Sequence, residues 1–235
     1  MSQNNILIVA TSAGAMTNGD ATGIWLEELT TPYYAFVDSG ARVTVASVRG
    51  GAIPVDDRSL APRGENDASV ERYLDDPAVQ ALISDSVPLS AVSDQVGAFD
   101  AVFLPGGHGT MFDYPQNREL AELIERFDQQ GKVVAAVCHG PAGLTGARKP
   151  DGTPFVAGRT IAAFTDSEEH AVGLQDAVPF LLETKLRELG AELSTAPDFQ
   201  AHAVRDGRLV TGQNPASATK TAELIMSALP VGQVA

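Results

Sequence analysis

Short apolar runs alternate with longer stretches of helical periodicity along most of this 235-residue chain. The clearest runs are Asn5–Thr11, Arg42–Ser47, Phe99–Leu104 and Lys132–Val137, and each has the length of a strand. The nearly continuous apolar character of the best of them is typical of strands covered on both faces. Strands that alternate with helices indicate an α/β protein whose mostly parallel sheet has helices on both faces. No repeat, linker or low-complexity segment interrupts this pattern, so we predict one domain over residues 1–235.

Four segments of the chain show helical periodicity. We predict helices around Ile24–Phe36 and over Asn117–Gln130, Pro179–Gly190 and Pro215–Leu229. The segment 55–95 is rich in proline and aspartate, which indicates loops around one short helix near Pro77–Ser84. Two further features are a strand at Thr160–Phe164 and a hairpin at Val204–Val210, with its turn at Asp206-Gly207.

The charge balance excludes several classes of partner. The chain has 16 Lys and Arg residues against 30 Asp and Glu residues, a net charge of −14. Nucleic acids and anionic membranes require clustered basic residues, so we expect neither as a partner. The single cysteine cannot form an internal disulfide. Because the amino terminus lacks a signal-peptide pattern and no apolar run approaches the ~20 residues of a membrane span, we expect a cytoplasmic protein.

Cys138 directly follows the apolar run Lys132–Val137 and precedes the small residues of Gly140-Pro141-Ala142-Gly143. A reactive side chain on a sharp turn between a buried strand and a helix is the geometry of a nucleophile elbow. The N-terminus of such a helix would stabilise a thiolate, so the pattern predicts a reactive, ionised sulfur. An unreactive buried cysteine is the alternative. The adjacent His139 is either a base beside the sulfur or a residue that caps a turn.

A glycine-rich segment, Pro105-Gly106-Gly107-His108-Gly109, follows the run Phe99–Leu104. Glycines at this place let the backbone approach closely and direct N–H groups outward. The segment lacks both the P-loop motif and the glycine spacing of a dinucleotide site. It therefore predicts donors for an oxyanion, with a plain tight turn as the alternative.

Acidic candidates lie in two places. Glu27 and Glu28 are adjacent in an apolar helix, about 100° apart, so at most one of them can face a site. A carboxyl group near a buried face has a raised pKa and can move a proton, whereas a solvent-facing pair is the alternative. Glu168, Glu169 and His170 resemble the opening of a helix, where acids are favourable to the dipole. The four histidines form no HExxH motif and no paired CxxC is present, so we predict no metal site.

Two motifs, FDAVFLPGGHGT at Phe99–Thr110 and VVAAVCHGPAGL at Val133–Leu144, resemble the ThiJ/PfpI superfamily, whose fold is similar to that of class I glutamine amidotransferases. Three more motifs resemble its larger branch, which contains glutathione-independent glyoxalases (glyoxalase III, or D-lactate dehydratase) and heat-shock chaperones of that type. They lie at Thr22–Phe36, Pro179–Ala191 and Asp206–Ala218, and the resemblance covers most of the chain. It implies a flavodoxin-like, three-layer αβα sandwich and a homodimer.

The resemblance also implies roles for individual residues. The family's nucleophile falls on Cys138 and its adjacent histidine on His139. The acid that hydrogen-bonds the cysteine falls on Glu28. A further acid completes a Cys-His-acid triad in this branch, and it falls on either Glu168 or Glu169, between which the sequence does not decide.

The oxyanion and substrate-binding groups implied by the same resemblance are Gly106, Gly107 and His108, with a second backbone donor at His139. The implied activity converts a small 2-oxoaldehyde such as methylglyoxal to a 2-hydroxy acid without glutathione, metal or other cofactor. A glutaminase would need a late His-x-Glu motif, which His202 does not form. A stress-response holdase with a redox-sensing cysteine and a cysteine peptidase or deglycase are the alternatives left open.

Overall fold

The computed structural model describes residues 3–230. Within this range the chain forms nine strands, β1 (Asn5–Ala10), β2 (Arg42–Ser47), β3 (Val87–Pro88), β4 (Ala101–Leu104), β5 (Val133–Val137), β6 (Thr160–Ile161), β7 (Glu192–Leu193), β8 (Ala203–Asp206) and β9 (Leu209–Gly212). The same range contains nine α-helices, α1 (Leu26–Asp38), α2 (Ala68–Leu74), α3 (Pro77–Ser84), α4 (Leu89–Val92), α5 (Thr110–Asp113), α6 (Arg118–Gln129), α7 (Asp166–Val172), α8 (Leu182–Glu188) and α9 (Ala218–Ala228). Residues 1–2 and 231–235, which the predicted domain 1–235 includes, lie outside the described residues.

Seven strands form one sheet in the order β3-β2-β1-β4-β5-β9-β8, while β6 and β7 pair separately. Within the large sheet only the β8–β9 pair is antiparallel, as the predicted hairpin requires. The strand order reverses between β1 and β4. In open α/β sheets, the carboxyl ends of the strands at such a reversal form the crevice that holds the functional site. The predicted fold class, a mostly parallel sheet with helices on both faces, is confirmed.

Alternate side chains of the strands enter apolar clusters on opposite faces of the sheet, as the two-residue period of a strand requires. On β1, Ile6 and Ile8 pack in the cluster that includes α1 and α9, whereas Leu7 and Val9 pack in the cluster that includes α6 and α8. Each fully buried side chain of this size contributes about 1.5–3 kcal/mol. Burial on both faces therefore holds the strand ends firmly. No helix within residues 3–230 is both long enough and apolar enough to cross a membrane.

The segment 55–95 is more regular than the sequence predicts. The helix at Pro77–Ser84 is confirmed as α3, and the side chain of Asp76 caps its first turn. Helix α2 was not predicted, because Val70 is its single buried residue and no apolar stripe marks it. The two-residue strand β3 extends the sheet beyond β2, and it is too short to leave a pattern in the sequence.

Three other predictions are corrected at their boundaries. The strand expected at Thr160–Phe164 stops at Ile161, because the next backbone N–H donates to Thr211 Oγ1 instead of to a neighbouring strand. The helix expected over Pro179–Gly190 is limited to α8. The closing helix expected from Pro215 begins with a 3₁₀ turn and becomes α-helical only at α9.

Candidate active site

Cys138 lies one residue beyond β5, at the carboxyl end of the sheet, with a φ of 58°. A left-handed conformation in a residue other than glycine is strained by about 1–3 kcal/mol, and the surrounding structure must hold it. Its N–H donates to the Gly212 carbonyl and its own carbonyl accepts from the Phe164 N–H, both at 2.9 Å. These two hydrogen bonds fix the turn that directs the thiol toward the crevice.

The structure places Gly106 and Gly107 directly beside the cysteine. The Gly106 N–H donates to Glu28 Oε2 at 2.8 Å, and the Gly107 N–H acts to lower the pKa of the Cys138 thiol. A Cβ atom on Gly106 would lie 2.5 Å from Glu28 Oε2 and 2.7 Å from the Val137 carbonyl. Gly107 has a φ of 100°. Both glycines are therefore needed for the close approach of the backbone to the sulfur and to the carboxyl group.

A chain of polar contacts runs from the cysteine to one of the two acidic candidates on α7. His139 Nδ1 lies 3.3 Å from Cys138 Sγ, and His139 Nε2 lies 2.7 Å from Glu169 Oε2. All three side chains are buried. Burial alone would raise the pKa of Glu169, but hydrogen bonds from His108 and His139 outweigh it and hold that pKa well below its usual range. The ionised Glu169 keeps a proton on Nε2, which leaves Nδ1 free to accept one from the thiol.

Glu168, the other acidic candidate, is directed away from His139. Its Oε2 accepts from the N–H and the hydroxyl of Thr165 and completes a capping box at the start of α7. Its Oε1 accepts from the Phe199 N–H at 2.8 Å and from the Asn214 side chain at 2.8 Å. The structure thus brings Glu169, and not Glu168, into contact with His139.

Glu28, in the first turn of α1, lies on the other side of the sulfur. Burial raises its pKa well above the usual value, against the opposing effects of hydrogen bonds with Cys138 and Gly106. The neighbouring Glu27 is half-buried and does not line the cavity around the thiol. Burial and the nearby charge of Asp67 raise the pKa of Glu27 to about 7. As the helical spacing predicts, only one of the two carboxyl groups, that of Glu28, contacts Gly106 and the cysteine.

The prediction of an α-helix directly after the cysteine is wrong. The segment after the cysteine is a six-residue 3₁₀ helix, Gly140–Thr145, and not an α-helix. Burial, followed by the charge and hydrogen bond of Glu28, raises the pKa of the Cys138 thiol well above its usual value. A thiol whose pKa is raised requires the adjacent imidazole as a base when it attacks a substrate.

His108 provides a second histidine to the same carboxylate. Its Nε2 lies 2.8 Å from Glu169 Oε1, and its ring centroid lies 4.1 Å from that of His139. Burial, together with the neighbouring His139, lowers its pKa to about 4, so the ring is neutral at pH 7. Its Nδ1 is buried and has no hydrogen-bond partner within residues 3–230. A neutral ring that donates from Nε2 offers a free acceptor at Nδ1.

The group His108, His139 and Glu169 brings three possible metal ligands within 4.8 Å of one another. Sequence motifs could not reveal it, because the three residues come from separate segments. Each Nε2 already donates to a different oxygen of Glu169. A metal would have to replace both hydrogen bonds, so the absence of a metal centre stays our prediction.

The sulfur opens onto a cavity of about 170 Å³. Its floor is formed by Gly107, His108, Cys138 and His139, and its wall is formed by apolar side chains that the sequence had not marked as part of a site: Trp25, Phe164, Val172, Phe199 and Pro215. Trp25 lies in the motif at Thr22–Phe36 and Pro215 lies in the motif at Asp206–Ala218, whereas no motif marked Phe164, Val172 or Phe199. A larger cavity of about 510 Å³ lies elsewhere, around Met111 and Phe180, and contains no nucleophile. The smaller cavity is thus the candidate active site.

Comparison with known proteins identifies the class of this fold and site. The model of the DJ-1/PfpI family matches residues 21–228, and the chain belongs to this family. The resemblance predicted from the sequence is thereby confirmed.

Individual relatives narrow the comparison. The chain is 33% identical to a protein of Saccharomyces cerevisiae named glutathione-independent glyoxalase HSP31, over 97% of this chain and 99% of that protein. The crystal structure of glyoxalase III from Candida albicans has a TM-score of 0.86 and 30% identity, and covers 97% of this chain and 98% of the other. The Rapid Encystment Protein of 24 kDa from Francisella tularensis has a TM-score of 0.92 and 35% identity, with coverage of 97% and 100%.

Proposed function

We propose that this protein is a glutathione-independent glyoxalase, which converts small 2-oxoaldehydes such as methylglyoxal and water to 2-hydroxy acids. The observation that carries the proposal is the arrangement around one sulfur atom. Cys138 contacts the His139–Glu169 pair on one side and the buried carboxyl group of Glu28 on the other, at the floor of a small cavity. The names of the yeast relatives support the same activity.

The first step is attack on the aldehyde. His139 Nδ1 takes the thiol proton while the sulfur forms a bond to the aldehyde carbon, C1. The ionised Glu169 stabilises the positive charge on the imidazole. The N–H groups of Gly107 and His139 stabilise the negative charge that develops on the aldehyde oxygen. The imidazolium then gives its proton to that oxygen, which produces a hemithioacetal.

The second step moves hydrogen between the two carbons. In its ionised form Glu28 is a strong base, because burial raises its pKa, and it removes the hydrogen from C1. The proton on the C1 oxygen passes through His139 to the C2 oxygen, which gives an enediolate whose negative charge lies on the C1 oxygen. Glu28 then returns its proton to C2, and a thioester remains.

Hydrolysis completes the cycle. His139 takes a proton from water as the water oxygen adds to the thioester carbon, and the C–S bond breaks. The sulfur recovers its proton from His139, and the 2-hydroxy acid leaves. The sum adds one water molecule to the 2-oxoaldehyde, so no oxidant or reductant is needed. Cys138 supplies the sulfur that glutathione would otherwise provide.

The first experiment follows lactate formation from methylglyoxal without glutathione. We expect lactate from the unaltered protein and only the uncatalysed background from Cys138→Ala. Lactate formation by Cys138→Ala at the unaltered rate would exclude the proposal. Because the thiol is small and buried, loss of one sulfur atom is not expected to unfold the chain, and thermal unfolding of both proteins checks this point.

Glu28→Gln separates the first step from the second. The amide oxygen of glutamine can still accept from the Gly106 N–H, but it cannot take the C1 hydrogen. We expect a protein that gains the mass of one methylglyoxal and forms no lactate. Normal turnover by Glu28→Gln would instead assign the proton transfer between carbons to His139.

The cavity also distinguishes this proposal from the peptidase alternative. A volume of about 170 Å³ with an apolar wall accepts a small molecule, whereas an extended peptide needs an open groove. We therefore expect no hydrolysis of peptide substrates under conditions in which methylglyoxal is consumed. Peptide cleavage that depends on Cys138, without lactate formation, would favour the alternative.

The proposal extends to assembly and location. By resemblance to its branch of the family, we propose that the protein is a homodimer and that it acts in the cytoplasm. Light scattering on the purified protein tests the first part, because one chain has a mass of 24.6 kDa and a dimer has twice that mass. Cell fractionation with an antibody to the protein tests the second part.

A further inference from the structure

Phe199 has an unusual backbone and an unusual exposure. Its φ is 60°, and within residues 3–230 Cys138 is the one other residue besides glycines with a positive φ. Its side chain is 47% exposed, which makes it the most exposed of the large apolar residues in that range. An aromatic residue in the left-handed region is strained, and strain of this kind clusters at functional sites. The combination calls for an explanation that packing alone does not provide.

Buried hydrogen bonds hold this backbone in place. The Phe199 N–H donates to Glu168 Oε1 at 2.8 Å, and the same oxygen accepts from Asn214 Nδ2 at 2.8 Å and from Gln213 Nε2 at 3.1 Å. Asn214 Nδ2 also donates to the Gln200 carbonyl at 2.9 Å. Glu168, Gln213 and Asn214 are all buried. A fully paired buried network of this kind specifies one conformation of the loop that carries Phe199.

The ring that this network positions lies at the catalytic cavity. Phe199 lines the cavity, and its ring centroid is 6.3 Å from that of Phe164. The Phe164 ring in turn lies 4.4 Å from the His139 ring. Val172, 42% exposed, lines the same cavity. A continuous apolar surface therefore leads from the mouth of the cavity to the reacting groups.

We propose that Phe199 is a specificity-determining residue, that Glu168 positions it, and that the wall they form selects 2-oxoaldehydes with an apolar, preferably aromatic, substituent. This inference rests on the proposed function and names the substrate class of the same site. A phenyl substituent that enters the cavity can contact both Phe164 and Phe199, because both side chains line it. A methyl group reaches little of this surface, and glyoxal has no substituent to place there.

The experiment compares phenylglyoxal with glyoxal as substrates. Phe199→Gly removes the ring and relieves the strain at φ 60°, so the variant is expected to fold. We expect the ratio of kcat/KM for phenylglyoxal to kcat/KM for glyoxal to fall about tenfold, mainly through KM for phenylglyoxal. Phe199→Leu, which keeps apolar volume, should recover part of the ratio. Phe112→Ala, which removes a ring from the other cavity, is the matched control and should leave the ratio unchanged.

Glu168→Gln tests the positioning role. The substitution keeps one acceptor oxygen but removes the charge on which three donors converge. We expect the same ratio to fall about threefold, again through KM, with kcat for glyoxal changed less. An unchanged ratio in Phe199→Gly would overturn the proposal, and an unchanged ratio in Glu168→Gln would overturn its second part.

A second measurement separates this inference from the activity itself. Alkylation of Cys138 by N-phenylmaleimide and by iodoacetamide reports whether the wall favours an aromatic group, whether or not any 2-oxoaldehyde is turned over. If the unaltered protein converts no 2-oxoaldehyde but Phe199→Gly lowers the phenylmaleimide-to-iodoacetamide rate ratio, the proposed function fails and the aromatic wall stands. If Phe199→Gly also leaves that rate ratio unchanged, the proposed selectivity of the wall for an aromatic group is contradicted as well.

Discussion

The floor and the wall of the cavity are built in different ways. Gly107, Cys138 and His139 on the floor directly follow β4 and β5, whose residues are buried in the middle of the sheet. The wall comes from Trp25 and from separate places between 164 and 215, and its best-anchored part is the Phe199 loop held by Glu168. Strand ends need only the sheet to hold them, whereas the loop needs hydrogen bonds between side chains far apart in the sequence.

This difference shows how substitutions could change the substrate preference of the protein while its reaction stays the same. Reacting groups on rigid strand ends stay in position when loops vary. The adjacent residues Glu168 and Glu169 serve different parts of the cavity. Glu168 accepts a hydrogen bond from Phe199 in the wall, and Glu169 contacts His139 on the floor. Substitutions on the floor should affect every substrate, and substitutions in the wall should affect substrates unequally.

The largest expected effect comes from Glu169→Gln. The neutral amide cannot stabilise a positive charge on His139, and it no longer accepts from both histidines in their present tautomers. We expect kcat to fall about 10³-fold for glyoxal and phenylglyoxal alike. Steady-state kinetics with both substrates measures the effect.

Glu168→Gln is the matched control for that prediction, because it makes the same chemical change at the next residue. Its effect on kcat for glyoxal should be below about tenfold. Equal losses of kcat in the two variants would mean that floor and wall do not have separate roles.

The second effect concerns stability against acid. The folded pKa of His108 is about 4, whereas the unfolded value is 6.5, so between these pH values the unfolded chain binds a proton that the folded chain does not. Stability provided by the neutral ring is therefore complete above pH 6.5 and is lost as the pH falls toward 4. The loss amounts to about 3 kcal/mol. We expect urea denaturation from pH 7 to pH 4 to show a smaller loss for His108→Gln than for the unaltered protein.

The comparison of variants is needed because other groups act in the opposite direction. Burial raises the pKa of Asp113 to about 6, and this carboxyl group binds its proton earlier in the folded state, so its contribution to stability increases as the pH falls. His170→Gln removes an exposed histidine and serves as the control. An equal acid sensitivity of His108→Gln and the unaltered protein would contradict the neutral state of His108.

The same contrast explains what the sequence could predict. Cys138 and the glycines after β4 were predicted because each directly follows an apolar run, and the position of a strand end follows from the strand itself. The wall was missed because its geometry depends on contacts such as Glu168 with Asn214, residues that no local pattern connects. Helix α2 was missed for lack of an apolar stripe.

The direction of the pKa shift of the cysteine was predicted wrongly for a related reason. The local pattern suggested a helix dipole that would lower the thiol pKa. The larger effects are burial and the carboxyl group of Glu28, which the fold brings from a distant helix. Local sequence therefore located the nucleophile, while its electrostatics depended on tertiary contacts.

The third effect tests how tightly the floor is packed. In Gly106→Ala the new Cβ would lie 2.5 Å from Glu28 Oε2 and 2.7 Å from a backbone carbonyl, so something must move. We expect a loss of about 2 kcal/mol in the free energy of unfolding, together with loss of lactate formation. Gly97→Ala is the control, because open space surrounds that position. Full activity in Gly106→Ala would mean that the approach of Glu28 to the backbone is not needed.

The smallest expected effect shows whether hydrogen bonds or apolar packing hold the Phe199 ring in the wall. Asn214→Ala removes the donor to Glu168 Oε1 and leaves the Gln200 carbonyl without this partner. We expect about 1–2 kcal/mol of destabilisation and a modest fall in the phenylglyoxal-to-glyoxal ratio. Ser84→Ala, which removes an exposed hydrogen bond to the Ala81 carbonyl in α3, should change both quantities very little. A loss of stability in Asn214→Ala with an unchanged phenylglyoxal-to-glyoxal ratio of kcat/KM would mean that packing against Phe164, and not the buried network, holds the Phe199 ring. Floor and wall would then differ only in how exposed their side chains are.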